Sequence, residues 1–146
     1  MIIAIDFDGT CVTHEYPSIG KDIGAVPVLK DLVKNGHKLV LNTMRGNRYS
    51  LYNGDMVLFD TVRDKLSPIA HSLLDDAVLW FKHNEIPLYG VNTCPKQRDW
   101  TDSSKTYANL YIDDAALGTP LIDNNFDRPY VNWPKVREML TVYGIL

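Results

Sequence analysis

Two aspartates near the start of the chain are the residues whose spacing points most directly to chemistry. Asp6 and Asp8 follow an almost unbroken apolar run, Ile2–Ile5, and lie just before Gly9. Two carboxylates this close repel each other, so the arrangement is costly unless a cation or a shared proton relieves it. With only oxygen ligands in view, a hard cation such as Mg²⁺ is the natural candidate. The alternative interpretation is a strand followed by an Asx-type turn, in which Gly9 supplies an unusual backbone angle.

Polar side chains also follow two later apolar stretches. Thr43 ends the stretch that begins at Lys38, and the pair Asp113 and Asp114 ends the one that begins at Leu110. In a parallel sheet the carboxyl ends of the strands lie at one edge, which is where open α/β sheets bind ligands. Three converging polar strand ends are harder to explain as ordinary turns than one would be. The sequence therefore predicts a single site at this edge.

The elements that must position these groups alternate between strands and helices. Residues 2–5 and 38–42 predict short buried strands. Residues 25–35 between them predict a helix, because Pro27 suits its first turn and Gly36 suits its end. A strand, a helix and a strand within about 40 residues form a βαβ unit, which implies a parallel sheet.

The remainder of the chain repeats this alternation. The predicted elements are a helix from Ser67 or Ser72 to about His83 with a capping box at Ser72 and Asp75, strands over 87–91 and 110–113, a short strand over 120–122, and a closing helix over 133–143. Residues 92–106 are read as a polar connection. Repeated strand-then-helix units predict an α/β fold of the three-layer, Rossmann-like type, with a parallel sheet flanked by helices.

Residues 46–68 predict a small insertion after the second strand. Asn53-Gly54 lies between the stretches Tyr49-Ser-Leu-Tyr and Asp55-Met-Val-Leu-Phe and is a strong signal for a type I′ hairpin turn. Such a hairpin is either an arm that covers the site as a lid or an elaborated loop without that role. Residues 11–20, a polar stretch with one proline and one glycine, predict a loop or short flap beside the first strand.

Length and composition favour an ordinary globular protein. At 146 residues the chain predicts one domain over 1–146, and a net charge of −3 without a long basic run argues against general nucleic-acid or membrane affinity. Cys11 and Cys94 are too few for a disulfide framework, so free thiols are expected. The first nine residues resemble neither a signal peptide nor a membrane span. A soluble cytoplasmic protein is expected.

The motifs together resemble those of the haloacid dehalogenase (HAD) superfamily of phosphohydrolases. Asp6-Phe-Asp-Gly-Thr10 resembles the first motif, and Leu41-Asn-Thr43 resembles the second, a strand that ends in Thr or Ser. Lys105, eight residues before Asp113, is similar to the third-motif lysine, and the pair Asp113-Asp114 is similar to the fourth-motif acidic pair. Motif order and strand context match over residues 1–118. The spacing of Lys105 is shorter than in many members, and Lys96, or less favourably Lys82, is the alternative lysine.

The resemblance implies a reaction for the aspartates. Asp6 is the expected nucleophile, which attacks phosphorus to give an aspartyl-phosphate. Asp8 is the expected general acid and base, which protonates the leaving oxygen and then activates water. Mg²⁺ is the implied cofactor, held by the Asp6 carboxylate, the Asp8 backbone carbonyl and Asp113. Asp114 has a supporting role, in orienting the loop or water molecules.

The resemblance also implies the substrate-binding groups. Thr43 donates its hydroxyl to the phosphoryl group and Lys105 supplies positive charge, with Gly9 in the same loop as the nucleophile. Arg45 has two open interpretations, a contact to the substrate phosphate or a surface salt bridge. Thr43 and Lys105 also have ordinary alternatives, as a strand-end threonine and a solvated surface lysine.

The implied substrate is a phosphorylated small molecule. The spacing between motifs leaves room only for the flap and for residues 46–68, so a capless or minimally capped member is expected. Such an open site suits a bulky phosphoester or a homo-oligomer in which a partner subunit covers it. The strand Tyr111-Ile-Asp-Asp114 with a nearby lysine is also similar to small bacterial HAD proteins and deoxynucleotidases, which makes a nucleotide worth testing.

Three other functions remain open from the sequence. One is a catalytically silent HAD fold that acts as a binding protein, which the presence of both Asp6 and Asp8 disfavours. Another is a phosphatase for polynucleotide ends, which the lack of a basic patch disfavours. The least favoured is a receiver-like domain, because its phosphate-accepting aspartate ends a strand near mid-chain, whereas Asp55 and Asp60 lie in the hairpin-like insertion.

Overall fold

The computed structural model describes residues 1–46, 73–125 and 128–146, together with the backbone of strands at 49–52, 55–60 and 65–66. In chain order the elements are β1 (Ile2–Ile5), α1 (Ala25–Lys34), β2 (Lys38–Leu41), β3 (Tyr49–Tyr52), β4 (Asp55–Asp60), β5 (Lys65–Leu66), α2 (Leu73–His83), β6 (Leu88–Val91), a 3₁₀ turn (Gln97–Asp99), β7 (Leu110–Ile112), β8 (Leu121–Ile122), β9 (Tyr130–Val131) and α3 (Trp133–Val142).

The central sheet is parallel and has the strand order β6-β2-β1-β7. Ile3 in the middle of β1 pairs with Leu39 of β2 on one side and with Leu110 of β7 on the other. The chain runs outward from β1 through β2 to β6 and then returns to the opposite side of β1 as β7. This reversal places a topological switch point between the carboxyl ends of β1 and β7, where ligands of open α/β sheets bind.

The core forms because each element is apolar on the face it buries. Ile3, Ala4 and Ile5 of β1 are fully or almost fully buried, as a central strand covered on both faces requires. The helices bury one stripe each, and the buried residues are Ala25, Val28, Leu29 and Leu32 of α1, Ala77 and Phe81 of α2, and Trp133, Val136 and Leu140 of α3. α1 and α3 contact each other. These stripes fix the helices on the sheet.

Local signals explain where the helices end. Gly36, just past α1, has φ of +82°, the left-handed conformation that favours glycine at a helix end. Asn132 caps α3, because its side-chain oxygen accepts a hydrogen bond from the Lys135 backbone N–H at 3.2 Å, and Pro134 lies in the first turn. Ser72 of the predicted capping box lies outside the described residues, and α2 is described from Leu73.

The predicted α/β fold with a parallel sheet is confirmed. The predicted hairpin is also confirmed at its strands, because β3 and β4 are antiparallel, and β5 adds a third strand. The turn at Asn53-Gly54 lies outside the described residues. The use of this hairpin as a lid stays a prediction.

The last strands differ from expectation. The strand predicted over 120–122 exists as β8, but β8 pairs with β9 in a separate antiparallel hairpin and does not extend the parallel sheet. β9 was not predicted, because a strand of two residues is too short to show a periodic pattern. Within the parts of the chain described above, no helix has the length and apolar composition needed to cross a membrane.

Candidate functional site

Three carboxylates meet at the switch point. Asp6 follows β1, and Asp113 and Asp114 follow β7; one oxygen from each lies within 4.8 Å of the others, and all three residues are half-buried. We call this group the carboxylate cluster. Three hard oxygen donors in a small volume suit a divalent cation such as Mg²⁺ or Ca²⁺, so the cluster can hold a metal ion.

The electrostatics of Asp6 reflect this crowding. The pKa of the Asp6 carboxyl is raised to about 7, mainly by burial and also by the nearby charges of Asp113 and Asp114. Hydrogen bonds from the Phe7 backbone and the Thr10 hydroxyl act in the opposite direction. A bound cation favours the ionised carboxylate. A cation bound at the cluster would therefore relieve the repulsion among its carboxylates. The repulsion predicted between Asp6 and Asp8 is relieved differently, because Arg45 binds Asp8.

Thr10 connects the two strand ends that form the cluster. Its hydroxyl donates to Oδ2 of Asp6 at 3.1 Å and accepts from the Asp114 backbone N–H at 3.0 Å. The Trp133 indole N–H donates to the Thr10 carbonyl at 2.7 Å, so the start of α3 supports the same turn. Thr10 and Trp133 are both fully buried. Their hydrogen bonds hold the cluster in a defined geometry.

Asp8 lies beside the cluster but its side chain has a different partner. Arg45 Nε donates to Asp8 Oδ2 and Arg45 Nη2 donates to Asp8 Oδ1, each at 2.7 Å. The Arg45 side chain is fully buried. Arg45 therefore forms a salt bridge, but a buried one and not the surface one that was considered. A contact from Arg45 to substrate phosphate is disfavoured, because protein groups already bind its guanidinium.

Arg45 also binds the flap. Its Nη1 donates to the Pro17 carbonyl at 3.1 Å and its Nη2 to the Ser18 carbonyl at 2.7 Å. The ring centroids of Phe7 and Tyr16 lie 5.0 and 5.3 Å from the guanidinium carbon. One buried guanidinium thus joins the loop after β2, the side chain of Asp8 and the backbone of the flap.

Thr43 lies at the end of β2, as predicted. Its hydroxyl oxygen accepts from the Arg45 backbone N–H at 3.2 Å, and its own N–H donates to Oδ1 of Asn92 at 2.8 Å. Because the hydroxyl oxygen is the acceptor in the first bond, its proton is available to a ligand. The geometry is compatible with the donor role expected of Thr43.

Lys105 lies on the loop before β7, and its side chain contacts Tyr111 of that strand. It is exposed, and its ammonium lies 5.7 Å from the centroid of the Tyr111 ring. The buried Gln97 side chain holds the Lys105 carbonyl at 2.7 Å and so fixes the loop that carries it. Among the described residues, no ion pair joins Lys105 or the alternative, Lys96, to the cluster.

His14 and Arg128 contact the cluster instead. His14 Nε2 lies 3.0 Å from Oδ2 of Asp114, and Arg128 Nη2 lies 3.9 Å from the same oxygen. The His14 ring covers Gly9, since a Cβ at Gly9 would lie 2.0 Å from His14 Nε2. The sequence placed His14 in the flap, but no motif pointed to Arg128, which is brought in by the β8–β9 hairpin.

The backbone conformation and hydrogen bonds of Gly9 explain why a glycine stands at this position. Its φ is +80°, its N–H donates to the Val12 carbonyl at 2.7 Å and its carbonyl accepts from the Val131 N–H at 2.8 Å. The backbone groups of Gly9 are therefore used within the protein. Its expected place at the substrate stays a prediction.

A polar cavity adjoins this side of the cluster. It has a volume of about 340 Å³ and lies between residues 13–23 and the β8–β9 hairpin. His14, Lys21, Arg128 and Tyr130 are among its lining residues. We call it the flap cavity. Its size is at the lower end for small-molecule sites, which span about 300–1,000 Å³.

The thiol of Cys11 lies directly behind the cluster. It is fully buried and donates to the Asp6 carbonyl at 3.2 Å. Burial, together with the charges of Asp6 and Asp8, raises the pKa of the Cys11 thiol well above its ordinary value. A neutral buried thiol is a poor nucleophile, so Cys11 packs and does not react.

Fold and site together define an α/β protein of the Rossmann-like type with a candidate cation site at its switch point. A solved structure of a conserved protein from Bacteroides thetaiotaomicron is similar to it, with 30% sequence identity and a TM-score of 0.67 over 98% of this chain and 91% of that chain. The chain belongs to the same family as that conserved Bacteroides thetaiotaomicron protein. No model of a known protein family matches the sequence, and no curated protein matches it.

Proposed function

We propose that this protein is a Mg²⁺-dependent phosphohydrolase of the HAD type, which cleaves a phosphomonoester through an aspartyl-phosphate intermediate. The observation that carries the proposal is the carboxylate cluster of Asp6, Asp113 and Asp114 at the switch point, within 4.8 Å of one another. Asp8 lies two residues beyond Asp6 and beside the cluster. This is the arrangement that the resemblance of the motifs predicts.

The donor set fits Mg²⁺, which prefers hard oxygen ligands and few carboxylates. The carboxylates of Asp6 and Asp113, with Asp114 close by, are the residues that would hold it. When bound, the ion neutralises charge on the phosphoryl oxygens and on the carboxylates around them. The ligand expected from Asp8 is its backbone carbonyl, so the binding of its side chain to Arg45 does not conflict with that role.

Asp6 is the proposed nucleophile. The Thr10 hydroxyl holds its Oδ2, and the backbone of β7 accepts a hydrogen bond from its N–H at the Ile112 carbonyl, 3.0 Å away. These bonds orient the carboxylate toward the open edge of the sheet. Attack forms the bond from a carboxylate oxygen to phosphorus and breaks the bond from phosphorus to the leaving oxygen.

Asp8 is the proposed acid and base. Its two oxygens are both held by Arg45 at 2.7 Å, so the side chain is well oriented before substrate binds. To deliver a proton to the leaving oxygen and later accept one from water, one of these oxygens has to be released from Arg45. Thr43 is the proposed donor to the transferring group, because its hydroxyl is the acceptor, not the donor, in its hydrogen bond with the Arg45 N–H.

The buried pair favours a second candidate function, a catalytically silent protein of the same fold that binds phosphorylated ligands. If Arg45 does not release Asp8, the site still binds Mg²⁺ and phosphate but lacks an acid and base. The physiological substrate, which we propose to be a phosphorylated small molecule such as a nucleotide, is the same in kind for both functions.

The test is phosphate release with and without Mg²⁺ across nucleotides, sugar phosphates and an aryl phosphate, with Asp6→Asn as the control. Mg²⁺-dependent release that is lost in Asp6→Asn supports the phosphohydrolase. Equal rates in the parent and Asp6→Asn would contradict the mechanism. Binding of phosphate without release from any compound would favour the silent binding protein.

A further inference from the structure

A phosphate bound at the cluster needs a cationic side chain, and two such residues were expected from the sequence, Arg45 and Lys105. Phosphoryl transfer depends on neutralising the charge of the phosphoryl oxygens, and a cationic side chain normally shares this task with the metal ion. Arg45 is buried and its guanidinium donates to Asp8, Pro17 and Ser18. Lys105 is exposed and lies over Tyr111. Among the described residues, neither side chain forms an ion pair with a carboxylate of the cluster.

Arg128 is placed to do so. Its Nη2 lies 3.9 Å from Oδ2 of Asp114, which is part of the cluster. At this distance the two groups attract each other without a tight hydrogen bond, and the Arg128 side chain is 68% exposed. It can therefore turn toward an incoming oxyanion at little cost. The planar guanidinium offers two parallel N–H donors, which match the oxygens of a phosphate.

The surroundings of Arg128 give a substrate room. Arg128 lines the flap cavity as well as reaching Asp114, so it lies between the cluster and a space of about 340 Å³. His14, from the flap, also lines this cavity and contacts the same oxygen of Asp114, at a shorter distance of 3.0 Å. A phosphoester bound at the cluster with its organic part in the flap cavity brings its phosphate past Arg128.

We propose that Arg128 is the cationic residue that binds the phosphate of the substrate, in the role that the sequence assigned to Lys105. The inference rests on the proposed function. In this proposal the guanidinium of Arg128, which lies between β8 and β9, binds a phosphate dianion held at the cluster. His14 is a positioning residue, because it acts by holding Asp114.

The experiment measures the affinity of the full-length protein for inorganic phosphate at saturating Mg²⁺, by calorimetry and as competitive inhibition of aryl phosphate hydrolysis. The variants are Arg128→Ala, Arg128→Lys and Lys105→Ala. Arg98→Ala is the matched control, because Arg98 is also exposed and bonds only the Asp102 carbonyl among the described residues. The melting temperature of each variant is measured alongside.

We expect Arg128→Ala to weaken phosphate binding by roughly 10- to 100-fold, the range for a lost charge-assisted hydrogen bond. Arg128→Lys keeps the charge but loses the planar donor pair, so an intermediate loss is expected. Lys105→Ala and Arg98→Ala are expected to change affinity less than about twofold, since exposed charges away from the ligand contribute little. All four variants are expected to have the melting temperature of the parent, because these side chains are exposed.

The outcomes separate this inference from the proposed function. If the parent binds and releases phosphate but Arg128→Ala behaves like Arg98→Ala, the inference is overturned and the proposed function stands. If Lys105→Ala alone loses phosphate affinity, the lysine expected from the sequence is the cationic residue and Arg128 is not. If the parent shows no Mg²⁺-dependent phosphate binding or release, both are overturned.

Discussion

Asp8 and Arg45 form a two-bond ion pair in which each N···O distance is 2.7 Å, and the Arg45 side chain is completely buried. The two residues are 37 positions apart and belong to different strand ends, so the pair joins the loop after β1 to the loop after β2. Two more donors of the same guanidinium bind the flap carbonyls of Pro17 and Ser18. The position of the proposed acid and the position of the flap are therefore coupled through one side chain.

This pair predicts a large stability cost when the arginine is removed. Arg45→Ala leaves the Asp8 carboxylate and two flap carbonyls without their donors, and such losses cost roughly 3–5 kcal/mol. Urea unfolding of the parent and variant measures the difference. Arg45→Lys retains the charge but not the fork of donors, so an intermediate loss is expected.

The control for this prediction is Arg98→Ala, which removes an exposed arginine and is expected to change the free energy of unfolding by less than about 0.5 kcal/mol. A second readout is proteolysis within residues 11–20, which we expect to accelerate in Arg45→Ala as the flap loses its anchor. Loss of stability without faster cleavage of the flap would contradict the proposed coupling.

The position of the cluster could be predicted from the sequence because strong local patterns determine it. Short apolar runs that end in Asp6, Thr43 and Asp113 indicate parallel strands, and parallel strands bring their carboxyl ends to one edge. The proximity of Asp6, Asp113 and Asp114 needs no knowledge of loop geometry. It follows from the register of β1 and β7, which pair directly.

The partners of the cluster could not be predicted in the same way. Arg45 and Arg128 are set by how loops and a two-residue hairpin pack, and such contacts leave no periodic pattern in the sequence. The role of Lys105 was implied by the resemblance, and it stays a prediction; the hydrogen bonds of the Gln97 side chain to the Ser103 and Lys105 carbonyls hold the loop that carries it. The strand register therefore determines where the strand ends lie, whereas the contacts among the loops depend on packing that the sequence pattern does not show.

The raised pKa of Asp6 predicts a pH-dependent stability in the absence of metal. The carboxyl has an ordinary pKa of 3.8 when the chain is unfolded and about 7 when it is folded. Between these values the folded state binds the proton more tightly, so this stabilising contribution is complete below about pH 4 and is lost as the pH rises to about 7. We expect a fall of about 1–3 kcal/mol, allowing for solvent screening.

Thermal unfolding from pH 4 to 8 in a chelator measures this fall. Asp6→Asn cannot ionise and is expected to lose the Asp6 contribution to the slope, whereas Asp102→Asn, an exposed control, retains it. Added Mg²⁺ is expected to stabilise the parent most at pH 7 and above, where it no longer competes with a proton. A Mg²⁺ effect that is equal at pH 4.5 and pH 8 would contradict the proposed site.

Asp113 is predicted to matter more for metal binding than for folding. Asp113→Asn removes one charge from the cluster and one hard oxygen ligand, and we expect the affinity for Mg²⁺ to fall by roughly tenfold or more. The hydrogen bond from the Ala115 N–H to Oδ1 of Asp113, at 2.8 Å, can be kept by the amide oxygen. Stability without metal is therefore expected to be unchanged or slightly higher, because a repulsion is lost.

Calorimetric titration with Mg²⁺ and urea unfolding in a chelator give the two quantities for Asp113→Asn, with Asp102→Asn as the control. A variant that loses stability without metal and retains its Mg²⁺ affinity would show that Asp113 is structural.

Gly9 is predicted to tolerate no side chain for two separable reasons. Its φ of +80° strains any other residue by about 1–2 kcal/mol, and a Cβ would overlap the His14 ring. Gly118 has a φ of +87° but open space around it, so Gly118→Ala carries the strain without the overlap. We expect Gly9→Ala to destabilise the protein clearly more than Gly118→Ala, with the excess absent when His14 is also replaced by alanine.

Urea unfolding of the single variants and the Gly9→Ala, His14→Ala double variant measures this coupling. Equal destabilisation by Gly9→Ala and Gly118→Ala would mean that His14 moves aside freely and does not hold Asp114 in place.

The proposed role of Asp8 predicts a dependence on the leaving group that a structural role would not produce. A nitrophenolate leaves without a proton, whereas an alkoxide needs one from the acid. Asp8→Asn is therefore expected to slow hydrolysis of alkyl phosphates by roughly 10²- to 10⁴-fold, the usual contribution of a general acid and base. With nitrophenyl phosphate the first step survives, but water is no longer activated, so the aspartyl-phosphate accumulates.

Rapid mixing of Asp8→Asn with nitrophenyl phosphate measures the consequence directly. We expect a burst of about one nitrophenolate per chain followed by slow turnover, as is typical of a trapped covalent intermediate. Asp8→Asn retains an oxygen that can accept from Arg45, so the variant tests chemistry with much of the buried pair intact. An equal slowing of alkyl and nitrophenyl substrates without a burst would instead assign Asp8, together with Arg45, to holding the flap.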